Sequence, residues 1–370
     1  MKFFRQICSI ILIIAMITAV GCKKQGSAVD MTYFKTSIHV QTHDKPLSQQ
    51  TISNLNDLFL SLEEEFSFSK DNSLVNKINR ASVNEKIALS ERGLEVLSLA
   101  TNYYNITDKK FNPAVYSLSE LWQFAPTFNS QNFTIPNQED IDKILSSNAT
   151  DFSLISIDED YNLTKTNADV KIDLGGILKG YATDLAVKIL KADGHDSGYI
   201  SVGGSSLNLL NVDELGIRHP RPTNELQNVL TVNCKGLSDL PVSTSGDYER
   251  YHQVGYNRYS HIIDGKTGYP TDTGVISATV IGKVVDGYSG AFGDAITTAI
   301  CLCAHAPSDQ NSELVKFLNK LTAENPDLSV FVFVEQGDYK ALLTNELDER
   351  FTLLDTTYKI EKLNPKILKG

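Results

Sequence analysis

The sequence predicts an α+β fold: a single domain of two lobes, with mixed, largely antiparallel sheets and packed helices. Amphipathic helical stretches dominate the first half of the chain. Most of the short alternating strands lie in the second half, and no repeating β–α–β pattern connects the two. With 370 residues, 41% of them hydrophobic, the chain can bury a large core.

The N-terminus is typical of an exported protein. Lys2 and Arg5 precede an apolar run over residues 10–20, which is too short to span a bilayer comfortably and indicates a signal peptide. Small residues directly before Cys22 resemble a bacterial lipobox. Residues 1–21 are therefore expected to be removed and Cys22 to carry a lipid anchor, which places the protein on a membrane, facing the periplasm or the cell exterior. An ordinary signal peptide followed by an incidental cysteine is the alternative.

The predicted elements follow from periodicity along the chain. Residues 22–30 are short and polar and are expected to form a tether, so the predicted folded domain covers residues 31–370. Apolar residues recurring at spacings of three and four predict helices over residues 48–66, 90–105, 138–145, 177–189 and 292–304. Alternating or β-branched runs predict strands over residues 33–40, 170–174, 199–202, 229–234, 240–244, 259–263, 275–280 and 328–334.

Charge and cysteine content exclude two classes of protein. The formal net charge of −11 argues against a nucleic-acid partner, since nucleic-acid binders need a basic surface. There is no CxxC pair and no Cys/His cluster at zinc spacing. Cys301 and Cys303 lie in an apolar run and are expected to be small buried side chains.

A double glycine between a predicted strand and a predicted helix forms the first candidate site. Asp173 precedes Gly175 and Gly176, and Lys179 follows one turn later. Glycines let backbone amides approach a ligand closely, and a helix start offers unsatisfied amides and partial positive charge. The pattern favours phosphate binding, although it matches neither the P-loop nor the dinucleotide fingerprint. A tightly packed strand–helix joint is the structural alternative.

A carboxylate and a hydroxyl on one helix form the second candidate site. Asp294 and Thr298 are four residues apart in an otherwise apolar stretch, so they share one helix face. Two hard oxygen ligands suit Mg²⁺ when phosphate oxygens, a backbone carbonyl and water complete its shell. A helix-start Asp and a Thr bonded back to a carbonyl are the structural alternative.

The third candidate site combines two nearby runs. Residues 243–248 read STSGDY, and residues 259–264 read YSHIID, so a run of small hydroxyl residues with a glycine is followed shortly by His261 and Asp264. A histidine on a strand is more often structural than catalytic. No nucleophile elbow is present, so a serine hydrolase is not supported.

These runs, taken in order, resemble the FAD:protein FMN transferases, the ApbE-type flavin transferases. The resemblance extends from about residue 31 to the C-terminus and is carried by DLGGILKGY at 173–181, VGG at 202–204, TSGDY at 244–248, SHIIDGKTG at 260–268 and GDAITTA at 293–299. The sequence departs from the family at Gly265, where the family usually has Pro. It departs again at residues 111–116, which read FNPAVY where the family tends to have FDxTVG.

The resemblance implies FAD as the substrate, Mg²⁺ as the metal, and an exported or membrane redox protein with a Ser/Thr flavinylation site as the acceptor. The implied metal ligands are the Gly176 carbonyl, Asp294 and Thr298, assisted by Thr297, and Asp294 is implied as catalytic. His261 is the hypothetical catalytic base, and orienting Asp264 or the metal's water is the alternative role. The implied FAD contacts are Met31, Ala114, Val115, Tyr116, Asp173, Lys179, Gly203, Gly204, Ser260, His261 and Ile262.

Two rival functions use much of the same site. A Mg²⁺-dependent FAD pyrophosphatase would replace the acceptor hydroxyl with water and release free FMN and AMP. A non-catalytic flavin-binding lipoprotein would keep the glycine and lysine contacts without the metal pair. Asp294 and Thr298 occur together, which favours an enzyme over a flavin carrier. A solute-binding protein would show repeating β–α–β units, which the sequence lacks.

Overall fold

The computed structural model describes residues 26–363 except 127, 129–132, 285–286, 307–308, 310 and 347–349. The predicted signal peptide and Cys22 lie outside these residues. Within them, eight α-helices occur: α1 Gln49–Phe66, α2 Leu74–Arg80, α3 Glu91–Ile106, α4 Tyr116–Leu121, α5 Gln138–Ser146, α6 Gly175–Ala192, α7 Ser289–Cys301 and α8 Glu313–Glu324. None of these helices is long and apolar enough to span a bilayer.

The strands form one large sheet and three small ones. They are β1 Ala28–Tyr33, β2 Thr36–Thr42, β3 Ile87–Ala88, β4 Ile155–Ile157, β5 Asn162–Lys165, β6 Gly198–Val202, β7 Ser206–Leu210, β8 Glu214–Arg218, β9 Asn228–Asn233, β10 Leu240–Gly246, β11 Tyr251–Val254, β12 Asn257–Ser260, β13 Val275–Ile281, β14 Ser329–Gln336, β15 Tyr339–Thr344, β16 Phe351–Leu353 and β17 Lys359–Lys362. The nine-stranded sheet has the order β1-β2-β6-β7-β10-β13-β14-β15-β17 and is antiparallel except for the pair β15–β17. The small sheets are β16-β9-β8, β3-β5-β4 and β11-β12.

The large sheet is covered on both faces. In β14, Val330 and Val332 belong to the core on the helical side, whereas Phe331 and Phe333 pack into a second core under the sheet β16-β9-β8. Successive strand residues point to opposite faces, so this division follows directly from the strand period. Full burial of each such side chain is worth about 1.5–3 kcal/mol. The central strands therefore form a rigid platform for the site that lies at their ends.

The helices predicted over residues 48–66 and 90–105 are confirmed. Ser48 and Ser90 accept hydrogen bonds from the Thr51 and Gly93 amides at 3.0 and 2.8 Å, so both serines cap the helices that follow them. Each cap is worth about 1 kcal/mol. The mixed α+β architecture with largely antiparallel sheets is likewise confirmed. The cysteines at 234, 301 and 303 are free and buried, as expected for small apolar side chains.

Two element predictions near the N-terminus are wrong. The predicted strand 33–40 is a hairpin, because Phe34 and Lys35 adopt left-handed φ angles of 53° and 55° between β1 and β2. Strand β1 begins at Ala28, inside the predicted tether 22–30, since its backbone pairs with β2 from Ala28 onward.

The stretch 170–174 is not a strand, although its apolar side chains alternate inward as predicted. Side chains and a loop carbonyl satisfy its backbone instead of a neighbouring strand. The Ile172 amide donates to Asn79 Oδ1 at 2.7 Å, and the Asp173 amide donates to the Pro113 carbonyl at 2.8 Å. Buried backbone groups need partners, and here these partners replace a β ladder.

Candidate active site

A carboxylate side chain just before α6 forms a hydrogen bond with the first backbone amide of this helix. Asp173 Oδ1 accepts a hydrogen bond from the Gly175 amide at 2.7 Å, while Leu174 at the N-cap offers no side-chain bond. Burial raises the pKa of Asp173, and the Gly175 amide and the positive charges of Arg250 and Lys179 oppose that rise. Asp173 therefore lies where a helix start meets two cationic side chains, and it is these cations and helix-start amides that can bind phosphate.

The first turns of α6 meet Asp294 of α7. The Gly180 amide donates to Asp294 Oδ2 at 2.7 Å, and the Ser206 hydroxyl donates to Asp294 Oδ1 at 2.7 Å. A carbonyl oxygen has two lone pairs, so the Gly176 oxygen, in the first turn of α6, can accept a further partner. The structure thus brings together the two stretches that the family resemblance implies share one metal.

Close backbone packing makes this contact possible. A Cβ on Gly180 would lie 2.0 Å from the Gly290 carbonyl oxygen, so the two helices touch through their backbones. One turn along α6, Asp184 accepts the Gly290 amide at 2.9 Å and the Ala291 amide at 3.1 Å. Burial raises the pKa of Asp184 to about 7, against the lowering effect of these two amides. Asp184 clamps the start of α7 and so fixes where Asp294 lies.

The residues around Asp294 fit a hard divalent cation. Burial raises the pKa of Asp294, and Lys179 and the serine hydroxyls of Ser206 and Ser243 oppose that rise. A carboxylate can accept about four hydrogen bonds or ligand contacts, and the Gly180 amide and the Ser206 hydroxyl that donate to it are neutral groups. The Thr298 hydroxyl donates its hydrogen to the Asp294 carbonyl at 3.0 Å, so the Thr298 oxygen keeps its lone pairs.

Thr297, which was predicted to assist in metal binding, has different partners. The Thr297 hydroxyl is buried, donates to the Gly293 carbonyl at 2.9 Å and pairs with the Ser245 hydroxyl at 2.8 Å. These contacts favour a supporting role for Thr297, because they tie α7 to β10. Among the described residues there is no group of three or more His, Cys, Asp or Glu side chains that could hold a metal. A Mg²⁺ site here would therefore depend on one carboxylate and on substrate phosphates, which is a common arrangement for this ion.

Lys179 connects the helix start to the glycine turn after β6. Its Cδ atom would lie 3.4 Å from a Cβ on Gly203, and its Nζ lies 3.4 Å from the Gly175 carbonyl. Gly203 and Gly204 have φ angles of +65° and +71°, which side chains rarely adopt, so this turn requires glycine. No atom lies within 4 Å of a Cβ on Gly204, so a ligand can approach the backbone there.

His261 lies near the same two positive charges as Asp173, those of Arg250 and Lys179. Its Nδ1 is 3.2 Å from the Arg250 carbonyl, which can only accept, so Nδ1 carries the hydrogen and Nε2 is the free base atom. Burial, together with the positive charges of Arg250 and Lys179, lowers the pKa of His261 to about 3. The imidazole is therefore neutral at pH 7, with Nε2 unprotonated.

The loop at residues 113–116 lies between Asp173 and the turn after His261. The Asp173 amide donates to the loop's first carbonyl, and a Cβ on Gly265 would lie 3.2 Å from Val115 Cγ1. Ala114 and Tyr116 are buried. Burial and the charges of Glu120 and Asp173 raise the pKa of Tyr116 to about 12, so its phenol stays protonated. Gly265 has no side chain and so leaves room for this loop. Both Gly265 and the loop are places where the sequence departs from the family pattern.

The remaining predicted contacts are spread over neighbouring strands. Ser260 Oγ accepts the Ile262 amide at 3.1 Å, and both side chains are buried. Met31 is buried in β1 opposite Ile38, which in turn pairs with Val202 directly before the Gly203 turn. Met31 thus lies two strands from that turn, at the outer part of the sheet.

Sequence reasoning missed three residues of this site: Arg250, Ser206 and Asp184. Arg250 follows the TSGDY run by two positions, and that proximity was its one available signal. Ser206 and Asp184 had no distinguishing pattern, because their roles arise from contacts with α7. The Asp247 carboxylate of the same run, in contrast, pairs bidentately with Arg221 at 2.8 and 2.7 Å and is structural.

A helix start, a buried carboxylate, two cationic side chains and a neutral imidazole at one place are typical of an enzyme that acts on a phosphoanhydride. The sequence model of the ApbE family matches residues 30–320. The chain therefore belongs to the ApbE family.

Relatives and solved structures agree with this assignment. The chain is 29% identical over 252 residues to the FAD:protein FMN transferase of Buchnera aphidicola, covering 66% of this chain and 73% of that protein. It is 25% identical over 282 residues to the FAD:protein FMN transferase of Vibrio cholerae, covering 74% and 82%. The crystal structure of the ApbE protein of Thermotoga maritima superposes with a TM-score of 0.69 at 28% identity, covering 84% and 94%. The Pseudomonas stutzeri flavinyl transferase ApbE, at 22% identity and a TM-score of 0.69, supports the fold alone.

Proposed function

We propose that this protein transfers the FMN half of FAD to a Ser or Thr hydroxyl of an exported or membrane redox protein and releases AMP, with Mg²⁺ as its metal. The contact between the Gly180 amide and Asp294 carries the proposal, because it joins the phosphate-binding helix start to the metal-binding carboxylate. The transferases related to this chain support the reaction class.

The reaction balances as a phosphoryl transfer. The acceptor oxygen forms a bond to the FMN phosphorus, and the bond from that phosphorus to the bridging oxygen breaks. The electron pair of the broken bond leaves with AMP. The acceptor proton passes to a base and then to solvent. Positioning and charge stabilisation dominate such transfers.

Each group of the chain has a defined task in this scheme. Asp294, Thr298 and the Gly176 carbonyl would hold Mg²⁺, which supplies Lewis-acid stabilisation of the diphosphate and the departing AMP. Lys179 and Arg250 attract the diphosphate charge, and the glycine turn at 203–204 lets backbone approach the ligand. Ser206 and the Gly180 amide hold the carboxylate in place.

His261 takes the acceptor proton at Nε2. Its pKa of about 3 in the free enzyme keeps it in the base form above that pH, and protonation would abolish base catalysis only below it. We expect kcat/KM for FAD to show no limb from this residue between pH 5 and 8. We expect His261→Ala to lower flavinylation by about 10²–10⁴-fold across that range. Equal rates for His261→Ala and the wild type across pH would remove His261 from the mechanism.

The membrane location is part of the proposal. A lipid on Cys22 would hold the enzyme on the outer side of a membrane, where exported acceptors fold. The polar residues that follow Cys22 would provide the tether. Metabolic labelling with a fatty acid tests this anchor, since a Cys22→Ala protein should not take up the label.

The function is tested by incubating the purified protein with FAD, Mg²⁺ and an unflavinylated redox protein. We expect AMP release together with an acceptor that fluoresces in a denaturing gel and gains the mass of FMN less one water. EDTA should abolish both signals. AMP release with free FMN and an unchanged acceptor would instead identify an FAD pyrophosphatase.

A further inference from the structure

The hairpin β11–β12, which leads into His261, forms a two-stranded sheet of its own. Strands β11 and β12 pair only with each other among the described strands, so their outer edges carry no strand partner. Phe133 stacks on the His252 ring at 3.7 Å and 3°, and His252 Nε2 lies 3.1 Å from the Trp122 carbonyl. A buried aromatic cluster thus holds the base of the hairpin while its tip projects outward.

The tip and its neighbour expose aromatic and apolar side chains. Tyr256 at the turn has a relative exposure of 105%, and Val254 and Phe128 are each 38% exposed. The tip run, residues 253–257, carries no charge, although the whole chain has a net charge of −11. Tyrosine and phenylalanine are the residues that interfaces favour, because they bury a large area at low entropic cost.

These side chains lie close to the proposed base. The His261 and Phe124 ring centroids are 6.3 Å apart, and the Phe124 and Phe128 centroids are 5.7 Å apart. Phe128 is therefore no more than about 12 Å from His261. Tyr256 precedes His261 by five residues, which is about 16 Å of extended chain at ~3.3 Å per residue.

A protein acceptor whose hydroxyl reaches His261 also contacts the protein surface around His261. A standard interface buries about 800 Å² on each partner, which corresponds to a circular patch about 16 Å in radius. A patch of this size, centred where the acceptor hydroxyl would meet His261, extends to Phe128 and to the hairpin tip. Water, the competing nucleophile, makes no such contact.

We propose that the exposed face formed by Phe128, Val254 and Tyr256 is the docking surface for the acceptor protein. The inference rests on the proposed transferase function. The surface fits a partner with an apolar depression that receives the Tyr256 ring and with a neutral rim, since residues 253–257 carry no charge.

The test compares Tyr256→Ala, Phe128→Ala and the double variant with the wild type, and Tyr161→Ala is the control. Tyr161 is also an exposed tyrosine, at 57%, but it lies in the β4–β5 turn. The substrate is a purified redox protein, expressed without its flavin, that the wild type modifies. We expect KM for this acceptor to rise about tenfold in the double variant, with kcat at saturating acceptor and acceptor-independent AMP release unchanged. Tyr161→Ala should match the wild type.

Three outcomes would overturn the inference. An unchanged acceptor KM in the double variant would show that the partner docks elsewhere. A parallel loss of acceptor-independent AMP release would show that these side chains support the FAD site itself. If the wild type releases AMP but modifies no acceptor, the transferase function fails, and the docking surface fails with it; the wild type alone distinguishes this case.

Discussion

Asp294→Asn should abolish FAD cleavage and leave the fold at least as stable as the wild type. The amide can accept the Gly180 N–H through its oxygen and donate to the Ser206 hydroxyl through its nitrogen, so both contacts survive. The buried charge is lost, and burying a neutral group costs less than burying a carboxylate held by neutral donors. A metal site without its carboxylate loses several kcal/mol of stabilisation, on the order of 10³-fold in rate.

The measurement pairs thermal unfolding with AMP release at several Mg²⁺ concentrations. Asp239→Asn is the matched control, because it also removes one negative charge but lies in an ion pair with Lys191 and Lys283. The control should keep wild-type turnover. Full FAD cleavage by Asp294→Asn at low Mg²⁺ would contradict the assignment of this carboxylate.

Gly180→Ala should destabilise the protein and reduce activity together. In most helices the change to alanine stabilises by about 1 kcal/mol. Here the new Cβ would lie 2.0 Å from the Gly290 carbonyl, and neither backbone can move without separating α6 from α7. We expect a loss of about 3 kcal/mol or more in the free energy of unfolding, as in severe overpacking. Separation of the helices also pulls the Gly180 amide from Asp294.

Gly93→Ala separates the effect of the helix crossing from that of glycine replacement. Gly93 is also helical, but its Cβ would meet only side-chain atoms, the tip of Leu74 at 2.7 Å and the Ser90 hydroxyl at 3.1 Å, which shift more easily than backbone. Urea unfolding should show a loss of no more than about 1 kcal/mol for Gly93→Ala, the value of the Ser90 cap, and a larger loss for Gly180→Ala. Equal small changes in both variants would show that α6 and α7 do not cross as closely as described.

Local signals in the sequence predicted the parts of the fold that depend on neighbouring residues. Ser48 and Ser90 stand directly before apolar periodic runs, and both cap helices. The β1–β2 hairpin was not predictable in this way, since Phe34 and Lys35 are not residues that favour left-handed turns. Pairing of β2 with β6 holds this hairpin in place, and such pairing is a tertiary effect that no local window contains.

The residues of the candidate site fall into the same two groups: those that lie in a recognisable local run and those whose role depends on tertiary contacts. Asp173, Lys179 and Asp294 lie in recognisable runs, so sequence reasoning found them and expected the runs to meet. It could not find Ser206 or Asp184, because a serine and a helical aspartate have no pattern of their own. Their importance appears only when the helices cross and their side chains reach the α7 carboxylate and amides.

In the proposed mechanism, one cation bound between the start of α6 and Asp294 would hold the diphosphate of FAD. A crystal structure with FAD and Mn²⁺, phased at the manganese edge, tests this arrangement. We predict one anomalous peak at coordination distance from the Asp294 carboxylate, the Gly176 carbonyl and a diphosphate oxygen. A metal bound at another place, or a diphosphate remote from α6, would contradict the account.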